Sequence, residues 1–454
     1  MFNAIMKVLK NKDVMKKIGF TLLAYLVFKI LTYVTMPLID SNALSSSFDN
    51  TGFLGIVNSI SGNALKHYSI IALGITPYIT ASIITQILQM DIIPALKEWG
   101  EQGDAGKKKI QRLNRYLAMG LAFVQALAMT FAFHSQQTDI FKPFVSDWAL
   151  ANGRNLWFIV YFYIAVVLTA GTAFMIWLAD QITLKGFGNG SSMLIVGGII
   201  LSLPGSIVSL VQYYIADPSG ALGTNIYANQ GTWSGYLLFA VVIIMYITVI
   251  IGVTYIQVAV RKIPIQYANR PASSKFQGKS DSNIPIKVNT SGVIPVVFAS
   301  IILSLPSTIF KYVSMGDTAK NWITQVLTYS QPIGFVIYVI LIFTFTFFYS
   351  FIIVKPEQIA ERLHKQNSYI PGVRPGEETE TYITRTLFRV TVIGALFLIV
   401  IASLPIVTSM ALGLSQSFIR IGGTSLLIIV GVSIETAKQI QTDTQEKTYA
   451  GFMR

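Results

Sequence analysis

Residues 74–84 read GITPYITASII, and residues 292–302 read GVIPVVFASII. One apolar helix with an internal proline is therefore written twice, in opposite halves of the chain. A second echo pairs GSSMLI at 190–195 with GTSLLI at 423–428. The offset from Gly74 to Gly292 and the offset from Gly190 to Gly423 differ by no more than a loop length. Two matched offsets predict a chain built from two related halves, a construction common in membrane transport proteins.

The solvent of this chain is lipid. Of its 454 residues 53% are hydrophobic and only 12% charged, and its mean hydropathy is +0.58; an ordinary globular domain is about 25% charged. A hydrocarbon core of about 30 Å needs about 20 helical residues. Stretches of that kind lie near Ile18 to Leu38, Ile70 to Ile93, Leu117 to Phe133, Leu156 to Leu178, Gly186 to Val211, Tyr236 to Ala259, Ser291 to Phe310, Pro332 to Val354, Val390 to Met410 and Ile421 to Ile440. The expected fold class is an all-α membrane protein of ten transmembrane helices. The runs are continuous, unlike the short alternating strands of a membrane β-barrel.

Orientation follows from lysine and arginine, which concentrate on the cytoplasmic side of a membrane. Of the 34 such residues, 27 lie in the N-terminal tail, in the loops after spans two, four, six and eight, and at the C-terminal end. Both termini are thus expected in the cytoplasm. Five spans per half is an odd number, so the second half enters the membrane from the opposite side and the repeat is inverted. The echoes agree, pairing span two with span seven and span five with span ten. The expected organisation is a basic N-terminal segment over 1–17 and a first five-helix half over 18–214. A second half over 215–440 carries long cytoplasmic loops at 260–289 and 355–389, and a tail follows over 441–454.

The net charge of +13 is mostly this orientation signal. The two long basic loops exceed ordinary connections and read as docking surfaces. Residues 1–17 read as a basic, partly amphipathic lead-in with no cleavable signal peptide. The chain has no cysteine, so disulfides and thiolate metal sites are excluded. The three histidines, His67, His134 and His364, show no ligand spacing, and no metal site is expected. GFGNG at 186–190 lacks the lysine and hydroxyl residue of a phosphate loop and follows a membrane helix, so it reads as a tight turn. No cofactor and no catalytic group is expected, and an energy source must come from a partner or an ion gradient.

Ion-coupled transport would place ionisable residues at mid-membrane. Lys29 is the one charge well inside a span, with snorkelling or a neighbour bond as its other reading. The duplicated helices offer instead matched aliphatics, Ile79 with Val297 and Ile195 with Ile428. Each lies nine or ten residues from its span's start, about 14 to 15 Å deep at 1.5 Å per residue, half the hydrocarbon thickness. They either converge or are ordinary lipid-facing or core aliphatics. GFLGIVNSISGNAL at 52–65 is too short to cross and too apolar for an exposed loop, and reads as a re-entrant helix tucked into protein.

The pattern resembles the SecY family, the central subunit of the protein-conducting channel. The resemblance runs through ALGITPYITASIITQ at 72–86, GKKKIQRLNRYL at 106–117, DQITLKGFGNGSSM at 180–193, RKIPIQYANR at 261–270, IPIKVNTSGVIPVVFAS at 284–300, YIPGVRPGEET at 369–379 and GGTSLLI at 422–428. It implies a hydrophobic pore ring at Ile75, Ile79, Ile195, Val297 and Ile428, since a narrow apolar collar is poorly wetted and resists ions. It also implies a plug made by the re-entrant segment, with Gly52, Phe53, Leu54, Gly55, Ile56, Val57, Ser59 and Ile60. A lateral gate between spans two and three and spans seven and eight would carry Thr80 and Gln125 at its polar positions. Docking of a ribosome or a SecA-like motor ATPase would fall to Arg374 first, then Lys262, Arg270 and Lys275.

Implied partners are SecE-like and SecG-like small membrane subunits, secretory preproteins with signal sequences, and membrane lipid. The implied location is a bacterial plasma membrane. The expected function is translocation of unfolded polypeptide with sideways release of membrane segments; the alternatives are an inverted-repeat secondary transporter and, fitting ten spans and a plug poorly, a YidC-like insertase. Two departures from the family pattern stand out, PASSKFQG at 271–278 where relatives carry more basic charge, and MPLID at 36–40 without a proline-glycine ending.

Overall fold

The computed structural model describes residues 12–40, 58–89, 93–136, 141–142, 145, 155–211, 232–267, 282–300, 302–303, 322, 325–327, 331–412 and 423–452. Helices dominate. The first half carries α1 (Lys12–Tyr33), α2 (Thr76–Leu88), α3 (Pro94–Glu101), α4 (Asp104–Gln136), α5 (Asn155–Lys185) and α6 (Gly190–Val211). The second carries α7 (Thr232–Val258), strands β1 (Val260–Tyr267) and β2 (Ser282–Lys287), and a short helix α8 over residues 294–300. Helices α9 (Pro332–Val354) and α10 (Pro356–Lys365), strand β3 (Ser368–Tyr369), α11 (Glu377–Leu412) and α12 (Gly423–Phe452) follow. Each of the ten expected spans coincides with helical residues.

Their boundaries differ from the expected spans for identifiable reasons. Span two was expected from Ile70, but α2 begins at Thr76, with Pro77 in its first turn where a missing N–H is tolerated. Residues 61–75 form turns instead, because Gly62, Asn63, Tyr68 and Gly74 all take positive φ. Helix α4 extends back through the basic stretch from Lys107 to Arg115, and α11 starts at Glu377, well before the apolar run at Val390. Hydropathy marks where a helix enters lipid, not where it begins. For the same reason four stretches among the described residues pass as spans by helix length and composition, Trp157–Lys185, Phe239–Val258, Gln325–Lys365 and Glu377–Leu404.

The helix packing repeats. In the first half α4 packs on α5, α5 on α6 and α1 on α6; in the second, the helices five spans later do the same, α9 on α11, α11 on α12 and α7 on α12. Span five then meets span ten directly, as α6 against α12. Small residues bring the first-half helices close: Ala118, Ala122 and Ala126 repeat at every fourth position on α4 and are fully buried.

The two long basic loops, read as docking surfaces, are themselves structured. Strand β1 pairs antiparallel with β2, with Val260 opposite Lys287 and Ile265 opposite Ser282, and its far end pairs with β3. Ile263, Ile286, Leu363, Ile370, Ile383 and Leu387 form a separate core under this sheet and α10. The small sheet joins the two loops into one unit and is an addition to the otherwise helical body that the sequence reading did not include.

The segment before α2 lies against α6 with no room to spare. A Cβ on Gly198 would stand 1.8 Å from the Ile60 carbonyl oxygen. Gly198→Val should therefore lower the temperature of thermal aggregation in detergent, by an overpacking cost of about 1–3 kcal/mol. Gly120→Ala, on α4 with nothing within 4 Å of its added methyl, should hold or raise it, since alanine favours a helix over glycine by about 1 kcal/mol.

Candidate functional site: an apolar collar and its covering segment

Three of the five collar candidates meet in one cluster. Ile428 on α12 packs with Val196 and Ile199 on α6, and Ile195 and Val297 close over them. The other two join through Ile195: Ile79 and Ile195 both pack against the cluster that holds Ile75, Ile60 and Leu194. Ile195 thus connects side chains from α2, α6, α8 and α12, two helices from each half. Ile75 and Ile428 are buried, at 1% and 8% exposure, whereas Ile79, Ile195 and Val297 are half-buried. A lipid-facing set would not cluster this way.

Several members of the cluster were not among the sequence candidates, Val293 and Ile199 chief among them. Val293 packs against Ile428 and stands to Ile75 as Val297 stands to Ile79, at the offset that relates Gly74 to Gly292. The repeat already contained it. Ile199 lies one helical turn beyond Ile195 and is 2% exposed; the i, i+4 spacing was the available signal.

Residues 58–75 fold back beside this cluster. Residues 58–60 are helical and the chain then turns, so the described part of the expected re-entrant helix is shorter than 52–65. Of the plug candidates, Ser59 and Ile60 are described, and Ile60 packs in the cluster with Ile75. Gly52, Phe53, Leu54, Gly55, Ile56 and Val57 lie outside the described residues.

Asn58, 1% exposed, organises the turn. Its carbonyl accepts from the Asn63 N–H at 2.8 Å, its Oδ1 accepts from the Lys66 N–H at 2.9 Å, and its Nδ2 donates to Asn63 Oδ1 at 3.2 Å. The end of α1 holds the far side: the Met36 N–H donates to the Tyr68 carbonyl and the Ile70 N–H to the Val34 carbonyl, both at 3.1 Å. The Tyr68 hydroxyl shares a 2.8 Å hydrogen bond with Thr130 on α4. These bonds pair many of the segment's backbone groups within the protein, as a segment inside a membrane protein requires.

His67 stacks on Tyr33, with ring centroids 5.8 Å apart, and Lys29 Nζ lies 4.8 Å above the Tyr33 ring. Lys29 is therefore engaged with an aromatic neighbour at the end of α1.

The gate candidates sit on packed helices. Thr80 on α2 donates to the Thr76 carbonyl at 3.2 Å within its own helix, and Gln125 on α4 is half-buried. No hydrogen bond joins the two among the described residues. Helix α2 meets α4 through Ala81 and Ala118. Across the second half, Phe298 packs edge-on against Phe345 at 4.5 Å, and Ser300 shares a 3.3 Å hydrogen bond with Tyr338.

On the unit built around the sheet, Arg374 is 86% exposed in a turn shaped by Gly372 and Gly376 at positive φ. The turn is fixed from behind, since the Thr379 hydroxyl donates to the Arg374 carbonyl at 2.8 Å. A backbone held while its guanidinium projects suits recognition of a partner's acidic or phosphate group. Lys262 is exposed on β1; Arg270 and Lys275 lie outside the described residues. The nearby Lys365 ammonium, 2.6 Å away, holds the Glu361 carboxyl below its usual range. Among the described residues no group of three His, Asp or Glu is placed to hold a metal ion.

The sequence profile of the SecY family matches residues 69–437. The chain belongs to the SecY family. It is 42% identical over 454 residues to the protein translocase subunit SecY of Staphylococcus carnosus, covering all of this chain and 99% of that one. Among solved structures it is similar to a protein-conducting channel, with a TM-score of 0.59 at 17% identity over 94% of this chain and 92% of that one. It is also similar to the yeast Ssh1 complex bound idle to the 80S ribosome, with a TM-score of 0.60 at 16% identity over 93% and 88% of the two chains. The chain is a membrane protein with the all-α, ten-span, inverted-repeat architecture of these channels.

Burial, then the positive charges of Lys66 and Lys29, lower the His67 pKa below its ordinary 6.5. The folded state therefore resists a proton that the unfolded segment accepts. This contribution to stability is present above about pH 6.5 and is lost as the pH falls toward the folded value. Amide protection factors over residues 58–70, taken relative to the base-catalysed intrinsic rate that itself slows as pH falls, should drop between pH 7.5 and pH 5, and His67→Gln should remove most of that drop.

Proposed function

We propose that this chain is the channel subunit of a protein translocase, passing unfolded secretory polypeptide through the collar of Ile75, Ile79, Ile195, Val297 and Ile428. The observation that carries the reading is the collar itself, drawn from both halves and lined by flexible aliphatics. Such side chains offer no atom to coordinate an ion, which disfavours a secondary transporter. They resist wetting at rest and part around a chain. The segment from Gly52 to Leu65 acts as the plug; its described part meets α6 where Ile60 lies against Gly198.

The two five-helix halves, 18–214 and 215–440, separate on the side of Thr80 and Gln125 to release signal sequences and membrane anchors into lipid. Family membership supports that lateral gate, and the packing of α2 on α4 through Ala81 and Ala118 holds the two first-half gate helices together as one side of it. The protein is not an enzyme, and the driving force is external.

Arg374 and Lys262, with Arg270 and Lys275, form the landing surface for a ribosome or a SecA-like motor on the unit built by the sheet and α10. A ribosome-bound structural neighbour supports the first of these partners. SecE-like and SecG-like subunits complete the membrane assembly. The bacterial relatives support a plasma-membrane location, with the basic segment 1–17 and the tail 441–454 both cytoplasmic.

The double variant Ile79→Gly and Val297→Gly tests the collar. Reconstituted without motor or substrate, it should raise resting ion conductance of vesicles about tenfold or more, because removing apolar bulk allows the constriction to wet. Unchanged conductance in a correctly folded double variant would contradict the assignment.

A further inference from the structure

The α6–α12 contact has a second, polar layer about three helical turns below the collar. The Gly188 N–H donates to Gln439 Oε1 at 3.0 Å, and the Thr436 hydroxyl donates to the Met193 sulfur at 3.5 Å. The Met193 carbonyl in turn accepts from the Tyr25 hydroxyl of α1 at 2.8 Å.

The turn is built for this contact. Gly188 takes φ +75°, and a Cβ there would stand 3.3 Å from both Met193 Cγ and Thr436 Oγ1. Asn189 caps α6 by accepting from the Ser191 N–H at 3.1 Å, and the Gly190 N–H donates to Thr183 Oγ1 at 2.8 Å.

The spacing links this layer to the collar. Gln439 follows Ile428 by about three helical turns, and Gly188 precedes Ile199 by the same interval. On α12 a whole number of turns returns Gln439 to the face of Ile428, roughly 16 Å toward the cytoplasm, and Gly188 lies in the turn just before α6 begins at Gly190. The helices run antiparallel, and Ile428 and Ile199 share the apolar cluster. Ile428, Val432, Thr436 and Gln439 therefore form one stripe on α12, apolar at the collar and polar at the cytoplasmic rim. An apolar contact between smooth aliphatics does not by itself fix how far one helix has slid past the other. Directional hydrogen bonds do.

We propose that Gln439 and Thr436 are positioning residues: with the Gly186–Asn189 turn they form a latch that sets the register of α6 against α12, and so holds Ile195 and Ile199 opposite Ile428. This rests on the collar reading for its consequence, but the register itself is a separate fact. Because α6 belongs to one half and α12 to the other, the latch also ties the halves at the cytoplasmic rim.

The chain has no cysteine, which permits a direct test. Ile199→Cys and Ile428→Cys, oxidised in native membranes, should form a disulfide. Adding Gln439→Ala should lower the rate of that disulfide about three- to tenfold, the scale set by one lost hydrogen bond, and should raise resting ion conductance in the cysteine-free background. Gln439→Glu, whose carboxylate still accepts from the Gly188 N–H, should restore both readouts, which a defect of general folding would not allow. Gly188→Ala, which pushes a methyl between Met193 and Thr436, should act like Gln439→Ala. Loss of the disulfide with unchanged conductance would uphold the latch and count against the collar. An unchanged disulfide rate in Gln439→Ala, at normal protein level, would overturn the latch whatever the conductance.

Discussion

Hydrocarbon offers no hydrogen bonds, and the rest of the structure follows from that constraint. Every peptide group inside it must find a partner within the protein. Ten spans meet the demand as helices. Residues 58–75 meet it with turns, and do so because Asn58 supplies side-chain and main-chain acceptors to Asn63 and Lys66 while the end of α1 lends its own backbone to Tyr68 and Ile70. A segment of this composition left in lipid would strand its amides. Pressed against Gly198, with no side chain in the way, it forms part of the wall beside the collar.

The inverted repeat places the proposed collar where the two halves meet. Corresponding helices pack alike within each half, so the pairing of span five with span ten falls on the joint between them. Ile195 and Ile428 occupy matched places in the repeat and reach the same cluster. An aliphatic collar at such a joint is closed by dispersion and by exclusion of water, both short-ranged and non-directional. Halves that move apart break no strong bond at the centre. Among the described residues, directional bonds within the halves include Tyr68 with Thr130 and Ser300 with Tyr338, and Gly188 bonds Gln439 across the joint.

Much of this was legible in the sequence. The two echoes predicted which helices correspond, and the odd number of spans per half predicted that they are inverted. The midplane aliphatics were named from register alone, although only the resemblance to a known family chose the collar over a lipid-facing surface. What was not legible has physical reasons. Val293 and Ile199 look like any other aliphatic until the packing is seen. The start of α2 at Thr76 depends on four residues at positive φ, two of them Asn63 and Tyr68 rather than glycine. The β1–β2–β3 sheet is assembled from two loops far apart in the chain, joined by Gln266 opposite Tyr369, and local periodicity carries no trace of such a pairing. Latch residues Thr436 and Gln439 sit in a polar helix end whose sequence reads as an ordinary solvated face.

The central claim is that a polypeptide passes through the collar, and one measurement addresses it directly. A single cysteine at Ile79, in a chain that otherwise has none, is combined with a secretory polypeptide carrying one cysteine and stalled halfway through export. The account predicts a disulfide between the two that forms only when the chain is stalled and the motor is present. Absence of that link at Ile79, and equally at Ile195 and Ile428, while export proceeds normally, would contradict it.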